Sequence, residues 1–213
     1  MDIEEIDLAA WHELGDRLAE PPAPKYDRGP WNGRYLAPQT RRTSRVHIEP
    51  LSPRITDLDY EAYMGSIDHL NRSFGSGWPT PDITPDAASL DLHGCWASFG
   101  RGESYDFGVL THDRDKELGC AYFWRGPDWD DAYETGLRIW VIESQVATDL
   151  DRHLLAAMLV WVDEEWDFNR VVYYVPRSYQ RGVDIAIAAD LREVDREPLR
   201  PGDACFQWER QRS

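Results

Sequence analysis

The stretch from residue 117 to residue 175 limits the fold more than any other part of this sequence. Two of its runs are rich in aromatic and β-branched residues and predict strands over Glu117–Trp124 and residues 133–142. Apolar residues then recur at three- and four-residue steps for about five turns, which predicts a helix with one apolar face. The last run, residues 171–175, is apolar throughout and predicts a strand that is buried on both faces.

The order strand, strand, helix, strand, with short connections, predicts an α/β fold built on a mixed sheet. A helix that crosses between two strands of one sheet makes these strands parallel and close neighbours. The strands at residues 133–142 and 171–175 are therefore expected to be parallel. The loop that enters the helix is the expected functional region.

This loop and its flanks run from Val141 to Leu155 and read Val-Ile-Glu-Ser-Gln-Val-Ala-Thr-Asp-Leu-Asp-Arg-His-Leu-Leu. The segment resembles the acetyl-CoA-binding segment of the GNAT superfamily of N-acetyltransferases. In that family a strand ends in Val, a loop of the type Arg/Gln-x-x-Gly-x-Gly/Ala wraps the pyrophosphate of CoA, and the next helix begins with a Leu-Leu pair. The spacing from Val141 to Leu154 and Leu155 matches this pattern without a gap.

In the order of its elements, the resemblance covers about residues 45–210. It implies an α/β (α+β) domain with a GNAT-like mixed sheet of six to seven strands and helices on both faces. It also implies a gap between the two parallel strands, where the pantetheine arm of acetyl-CoA would lie. The residues that it implies for cofactor binding are Val141, Ile142, Glu143, Val146, Ala147, Thr148, Asp149, Leu150, Asp151 and Arg152.

The identities inside the loop depart from the family pattern. Val146 stands where the family has Arg or Gln, with Ala147 beside it, and Asp149 and Asp151 stand where it has Gly. Thr148 and Asp151 together read as a capping box, whose side chains would occupy the N–H groups that a phosphate uses. A carboxylate about 5 Å from the phosphate would cost roughly 3 kcal/mol at an effective dielectric near 20. The arginines close enough in sequence to offset these carboxylates are Arg152, Arg177 and Arg181.

Acetyl transfer to an amine needs a base for the amine, donors that polarise the acyl carbonyl, and an acid for the departing thiolate. The family often takes the acid from a tyrosine, and Tyr179 is the nearest one here, with packing or helix capping as its alternative role. Glu134 and Glu143 are the candidate bases, with solvated strand-end residues as the alternative. The backbone N–H groups of Ile142 and Glu143 are the expected donors to the carbonyl.

Acidic residues dominate the charge of the chain, since 23 Lys and Arg against 39 Asp and Glu give 23 − 39 = −16. This charge disfavours nucleic acid and anionic membranes as partners and favours a cationic amine. The turn at residues 128–131 reads Asp-Trp-Asp-Asp and is either a site for such a cation or a solvated turn. No apolar run is long enough to span a membrane and the first residues are acidic, so the protein is expected in the cytoplasm.

Neither the cysteines nor the histidines indicate a metal site. The three cysteines are far apart in sequence and are expected to be reduced thiols in the core. The six histidines lack the spacing of known metal motifs.

The rest of the chain divides into two parts. Residues 1–44 are expected to form an extension that consists of a helix over residues 2–19 and an arm rich in Pro and Gly. This extension is expected to pack on the domain or on a second subunit of a homodimer. Residues 45–213 are expected to form the GNAT-like acyltransferase domain. Its further predicted elements are strands at residues 45–51, 104–110 and 204–208 and helices at residues 57–74, 85–93 and 179–189.

Two functions are compatible with these features. The first is an acyl-CoA-dependent N-acyltransferase that acetylates a primary amine of a small molecule or a peptide. The second is a catalytically degenerate GNAT-fold module that has lost CoA binding and serves as a binding or scaffold domain. The spacing of the loop favours the enzyme, and the identities of its residues favour the module.

Overall fold

The computed structural model describes residues 29–126, 129, 131–198 and 200–210, so the helix predicted at residues 2–19 lies outside the described residues. These ranges contain eight strands and six α-helices. The strands are β1 (Arg41–Arg42), β2 (His47–Pro50), β3 (Ser104–Leu110), β4 (Glu117–Trp124), β5 (Glu134–Val141), β6 (Arg170–Pro176), β7 (Arg192–Glu193) and β8 (Asp203–Glu209). The helices are α1 (Thr56–Met64), α2 (Ile67–Phe74), α3 (Pro85–Arg101), α4 (Glu143–Val146), α5 (Leu150–Glu165) and α6 (Gln180–Ala188).

The strands form one mixed sheet in the order β1-β2-β3-β4-β5-β6-β8-β7. Strands β5 and β6 pair in parallel, and the other neighbours in the described sheet pair antiparallel. The prediction of a mixed sheet with this parallel pair is confirmed. The sheet has eight strands rather than six or seven, because β1 and β7 add two short strands of two residues each at its edges.

Strands β5 and β6 separate after a short paired section. Their register runs from Glu134 opposite Arg170 to Leu137 opposite Tyr173. Beyond that point β5 stays paired with β4 as far as Val141, whereas β6 stays paired with β8. The predicted gap between the two parallel strands is thus confirmed, and it opens toward their carboxyl ends.

Helix α5 crosses between these two strands and buries its apolar stripe on the sheet. Leu154, Met158 and Val162 are fully buried. The chain leaves the helix through Trp166, which is 2% exposed and lies at the centre of an aromatic cluster. The ring centroids of its neighbours lie 5.0 to 6.1 Å away and belong to Tyr35, Tyr105, Phe107, Phe123, Trp161 and Phe168.

Two predicted helices have different bounds in the structure. The helix predicted at residues 57–74 is divided into α1 and α2, because Gly65 and Ser66 have low helix propensity and the chain turns there. Helix α3 continues past its predicted end at residue 93 to Arg101, and Phe99 in this added part is buried against β3. In this added part of α3, packing against β3 thus outweighs the free-energy cost of about 1 kcal/mol that each glycine in a helix imposes.

The described residues that precede β1 pack on the domain. Trp31 is 4% exposed, stacks on Tyr105 at a centroid distance of 5.3 Å, and donates its indole N–H to the carbonyl oxygen of Glu134 at 2.7 Å. This contact lies at the amino end of β5, away from the loop that enters α5. None of the helices in the described ranges combines the length and the hydropathy that a bilayer crossing requires.

The aromatic cluster predicts the effect of a truncation at its centre. Trp166→Ala should lower the free energy of unfolding by about 3–5 kcal/mol, because it removes a fully buried indole and leaves a cavity. Trp96→Ala is the matched control, since Trp96 is 48% exposed and its loss should cost less than about 1 kcal/mol. Urea unfolding of the three proteins gives both values. Equal losses in the two variants would contradict the central role of Trp166.

Candidate functional site

The loop from β5 to α5 has a backbone conformation that its residue types do not suggest. Helix α4 forms a single turn after β5, and Asp149 then precedes α5 with φ 56° and ψ 32°. This left-handed conformation is unfavourable for most residues and suits Gly, although Asp and Asn tolerate it. Asp149 therefore adopts a conformation that suits Gly, the residue that the GNAT pattern has at this position.

The capping box predicted from Thr148 and Asp151 does not form. The Thr148 hydroxyl donates to the carbonyl of Gln145 at 2.9 Å and accepts a hydrogen bond from Arg45 at 2.9 Å. The Asp151 carboxylate accepts a hydrogen bond from the N–H of Arg152 at 2.9 Å, and the side chain of the N-cap residue makes no capping hydrogen bond. Within the described residues, the N–H groups of Leu150 and Asp151 thus have no hydrogen-bond partner and can bind a ligand or water.

Arg181 neutralises the two aspartates of the loop. It lies in the first turn of α6 and bonds Asp151 through Nε at 2.5 Å and through Nη2 at 2.7 Å. The same Nη2 reaches Asp149 at 2.9 Å and the carbonyl of Val146 at 2.8 Å. The bonds to Asp151 raise the pKa of the Arg181 guanidinium. Its Nη1 has no partner in the described part of the chain.

The charges at the loop are balanced although the chain is acidic. Arg72 pairs with Glu143 at 3.1 Å, and both side chains are mostly exposed. Three arginine side chains bond to residues of the loop, which carries three carboxylates, so that 3 − 3 = 0 in a chain whose net charge is −16. These residues are Arg45, Arg72 and Arg181 with Glu143, Asp149 and Asp151.

Glu134 lies far from the loop. It begins β5 seven residues before Val141, which corresponds to about 23 Å at the rise of a strand. Its carboxylate is 4% exposed and is held by Arg196 and, at 3.8 Å, by Arg170. Glu134 is therefore part of an ion-pair cluster at the other end of the strand.

Glu143 and Tyr179 lie at the loop. Glu143 begins α4 directly after β5, and Tyr179 directly precedes α6. The Tyr179 hydroxyl has no hydrogen-bond partner among the residues that the structure describes, and burial raises the pKa of Tyr179. Its ring meets His69 edge to face at a centroid distance of 6.1 Å.

His69 is a site residue that the sequence does not reveal. It belongs to α2, is 5% exposed, and burial lowers the pKa of its imidazole, so the ring is neutral at pH 7. His69 and Tyr179 are separated by 179 − 69 = 110 positions. Sequence motifs do not extend over such a separation. For the same reason the sequence does not predict Arg45 and Arg72 as site residues.

The backbone N–H groups predicted to polarise an acyl carbonyl are already engaged. The N–H of Ile142 donates to Leu118 at 2.9 Å, and that of Glu143 donates to the Ser66 hydroxyl at 3.1 Å. Because hydrogen bonds alternate along an antiparallel ladder, the N–H groups of Ile139 and Val141 point to the other side, toward β6. They face the gap, since β5 and β6 are no longer paired there.

The other predicted cofactor residues gather around this gap. Val141 ends β5, Val146 ends α4, and Ala147, Thr148 and the following residues lead into α5. The structure thus brings together every residue of the predicted cofactor set, with Tyr179 beside them.

Solved structures resemble this chain over most of its length. A ribosomal-protein-serine acetyltransferase of Vibrio cholerae superposes with a TM-score of 0.64 at 12% identity, over 80% of this chain and 97% of the other. A ribosomal L7/L12 α-N-protein acetyltransferase in complex with coenzyme A gives 0.65 at 12% identity, over 78% and 95%. An acetyltransferase of Agrobacterium tumefaciens gives 0.61 at 17% identity, over 83% and 97%.

The chain has the GNAT fold. This confirms the resemblance noted in the sequence at the level of the fold. No model of a known protein family matches the sequence, and no curated protein matches it either. In this GNAT fold β5, α5 and β6 take the places of the strand, helix and strand that the resemblance assigned around the CoA loop.

The acidic turn before β5 does not offer an open aromatic face. The guanidinium of Arg196 lies 4.6 Å from the centroid of the Trp129 ring, so an internal cation occupies that face. Residues 128 and 130 lie outside the described residues. On this GNAT fold the turn is also at the amino end of β5, away from the gap.

The pairing of Arg181 with Asp151 leads to a stability prediction. Arg181→Met should lower the free energy of unfolding by about 2 kcal/mol, because it leaves a buried carboxylate without its cation. Asp151→Asn in the same chain should restore part of this loss, and urea unfolding of the four proteins completes a double-mutant cycle. We expect a coupling energy of about 1–2 kcal/mol.

Arg177→Met is the matched control for this cycle. Arg177 pairs with Glu193 at 2.5 Å, but the two side chains are 62% and 48% exposed. Its loss should change stability by less than about 0.5 kcal/mol, as is usual for a surface pair. A coupling energy near zero between positions 181 and 151 would show that the bridge does not organise the loop.

Proposed function

We propose that this chain is an acyl-CoA-dependent N-acyltransferase that transfers an acetyl group to a primary amine. The observation that carries the proposal is the gap between β5 and β6, which opens beside the uncapped start of α5. The narrow pantetheine arm of CoA suits a gap of this kind, and the pyrophosphate to which the arm is joined suits the helix start beside it. Solved structures that share the fold are named as acetyltransferases, and one was solved with coenzyme A.

The residues present fit the pyrophosphate of CoA. The N–H groups of Leu150 and Asp151 and the positive end of the α5 dipole favour an anion. Arg181 offsets the loop carboxylates and keeps Nη1 available for a phosphate oxygen. When bound, CoA supplies an acyl group activated as a thioester.

The chain itself supplies the groups for acid-base chemistry and polarisation. The N–H groups of Ile139 and Val141 face the gap and would stabilise the negative charge that develops on an acyl oxygen. Tyr179 holds its proton at neutral pH, because its pKa is raised, and can give that proton to a departing thiolate. Glu143 is the candidate carboxylate at the gap and would accept the proton of the amine.

A small molecule or a peptide is the acceptor that we propose. Several GNAT-fold neighbours are named as acetyltransferases of ribosomal proteins, which present peptide amines. The net charge of −16 also favours a cationic acceptor over nucleic acid or an anionic membrane. We place the reaction in the cytoplasm, where acetyl-CoA is available.

The alternative function is a GNAT-fold module that does not bind CoA. One observation favours it: the carboxylates of Asp149 and Asp151 lie at the helix start where the pyrophosphate would bind. Repulsion between these groups and a phosphate is weakened by Arg181 but not removed. Ligand binding distinguishes the two functions directly.

If the chain is an acyltransferase, acetyl-CoA should stabilise it. At a Kd of about 10 μM, 1 mM acetyl-CoA adds about 2.7 kcal/mol, which raises the Tm of a domain of this size by several degrees. Differential scanning fluorimetry measures the shift, and calorimetric titration gives the Kd. The absence of both a shift and a heat signal with acetyl-CoA would favour the degenerate module.

Asp149→Gly should strengthen this binding about three- to tenfold. The change removes an exposed carboxylate beside the phosphate site and places Gly where φ is positive. Asp190→Gly is the matched control, because Asp190 also has positive φ, at 59°, and follows α6 away from the loop. Equal gains in acetyl-CoA affinity in the two variants would assign the effect to the change in net charge or to the relief of backbone strain.

Tyr179→Phe tests the proposed acid. It should lower kcat by about 10²-fold or more with little change in the Kd of acetyl-CoA, because only proton donation is lost. Since burial raises the Tyr179 pKa, the wild type should keep its acid protonated up to at least the ordinary tyrosine value near pH 10. Tyr133→Phe, at the other end of β5, is the control and should leave kcat unchanged. Unchanged kcat in Tyr179→Phe would remove this residue from the mechanism.

A further inference from the structure

A cluster of three buried acidic groups lies where α1 packs on β4. Asp59 comes from α1, and Glu117 and Cys120 come from β4. Their exposures are 5%, 1% and 0%. One ligand atom from each lies within 4.8 Å of the others, and Cys120 Sγ is 2.9 Å from Glu117 Oε1 and 3.7 Å from Asp59 Oδ1.

The polar groups of this cluster are incompletely satisfied. Glu117 Oε2 is buried and has no hydrogen-bond partner among the described residues, although its carboxyl group points into the cluster. Without a cation, the hydrogen bond between Asp59 and Glu117 needs a proton on one of the two carboxyl groups, and the proton of the Cys120 thiol can serve only one acceptor well. Within the described residues no Lys or Arg pairs with Asp59 or Glu117.

A bound cation would explain this arrangement. Carboxylates are almost never fully buried unless they are paired, protonated or bound to a metal. Here two carboxyl groups and a thiol converge from two elements, and Glu117 adds a buried oxygen without a partner among the described residues. These three groups can together coordinate a metal ion.

We propose that Asp59, Glu117 and Cys120 bind one Zn²⁺ ion. A thiolate and two carboxylates suit zinc, whereas calcium and magnesium prefer oxygen ligands throughout. Bonds of about 2.3 Å to sulfur and about 2.0 Å to oxygen place these atoms roughly 3.5 Å apart in a tetrahedral site. The separation of 3.7 Å between Cys120 Sγ and Asp59 Oδ1 is close to this value.

Tyr122 supports the sulfur ligand from the same face of β4. Its hydroxyl accepts the indole N–H of Trp140 at 2.8 Å, which leaves the phenolic proton free to point at Cys120. Such outer contacts orient metal ligands. The fourth position of the metal is open to water. Bound zinc would fasten α1 to the centre of the sheet and does not depend on acyl transfer.

This site escapes sequence reasoning because it contains no histidine and no Cys-x-x-Cys pair. Asp59 precedes the other two ligands by more than fifty positions, and acidic residues are common in this chain. Glu117 and Cys120 are three positions apart on a strand, a spacing that places side chains on opposite faces of a regular strand. The register shift between Val109 and Leu110, opposite this part of β4, breaks that regularity.

Cobalt substitution tests the proposal on the full chain. Metal-free protein is incubated with Co²⁺ and, in a second sample, refolded from denaturant with Co²⁺, because the site is buried. We expect one Co²⁺ per chain, visible absorption typical of tetrahedral cobalt, and a near-ultraviolet band from thiolate to cobalt. Zn²⁺ should then displace the cobalt and abolish both signals.

Variants assign the signal to this cluster. Cys120→Ser should abolish the thiolate band, and Asp59→Asn should weaken Co²⁺ binding at least tenfold, whereas Cys205→Ser, which alters a buried thiol elsewhere, should leave both unchanged. Zinc should raise the Tm of the wild type and not that of Cys120→Ser. If Cys120→Ser does not fold, the wild-type and Cys205→Ser spectra still decide. A wild type with no thiolate band in either sample, or a band that Cys205→Ser removes, would overturn the proposal.

Discussion

The parting of β5 and β6 is the constraint on which the rest of the structure depends. Helix α5 must cross from one strand to the other, and its buried stripe holds both strands against one core. Pairing holds only as far as Leu137 and Tyr173, and beyond that point each strand follows its antiparallel neighbour on the other side. The β6-directed backbone groups of β5 are thereby left to the gap. The start of α5 lies at the open end of this gap.

Electrostatics at this end result from a compromise. The loop has a left-handed residue directly before α5, but Asp149 occupies this position, which suits Gly better. Arg181 compensates for Asp149 and Asp151 from the next helix, so the loop has both an anion of its own and a cation to match it. A phosphate would meet free N–H groups and a partly engaged guanidinium. Affinity for CoA thus depends on whether Arg181 can serve the loop and the ligand together.

The core beneath α1 poses a different electrostatic problem. Most buried charges in the described residues have partners, as Arg138 has in Asp203 at 2.9 Å. Asp59 and Glu117 bond only to each other and to a thiol, and burial raises the pKa of each carboxyl group, that of Asp59 to about 7. In the absence of a metal, protons would have to hold this cluster together. The free-energy cost of burying these carboxyl groups falls where α1 packs on β4. This contact positions α1 and, after the turn at Ser66, also α2, which carries His69.

Local pattern by itself determined the elements around the site. The aromatic and β-branched runs, the stripe of Leu154, Met158 and Val162, and the apolar run at residues 171–175 are enough to predict the crossover and its parallel pair, because the chirality and length of such a connection leave few alternatives. The spacing from Val141 to Leu155 likewise identified the GNAT fold and the loop.

Only the tertiary structure decided what this loop can do. Among the arginines that the sequence offered, the structure pairs Arg181 with the loop aspartates and Arg177 with Glu193. Arg72 and His69 reach the loop from α2, and contacts over such separations leave no periodic signal in a sequence. The same is true of Ser66, which accepts a hydrogen bond from the N–H of Glu143 because a single break at Gly65 and Ser66 in the predicted helix redirects the chain. Sequence can show that a residue is charged or apolar, but the partner of a buried charge is set by which elements the sheet order brings side by side.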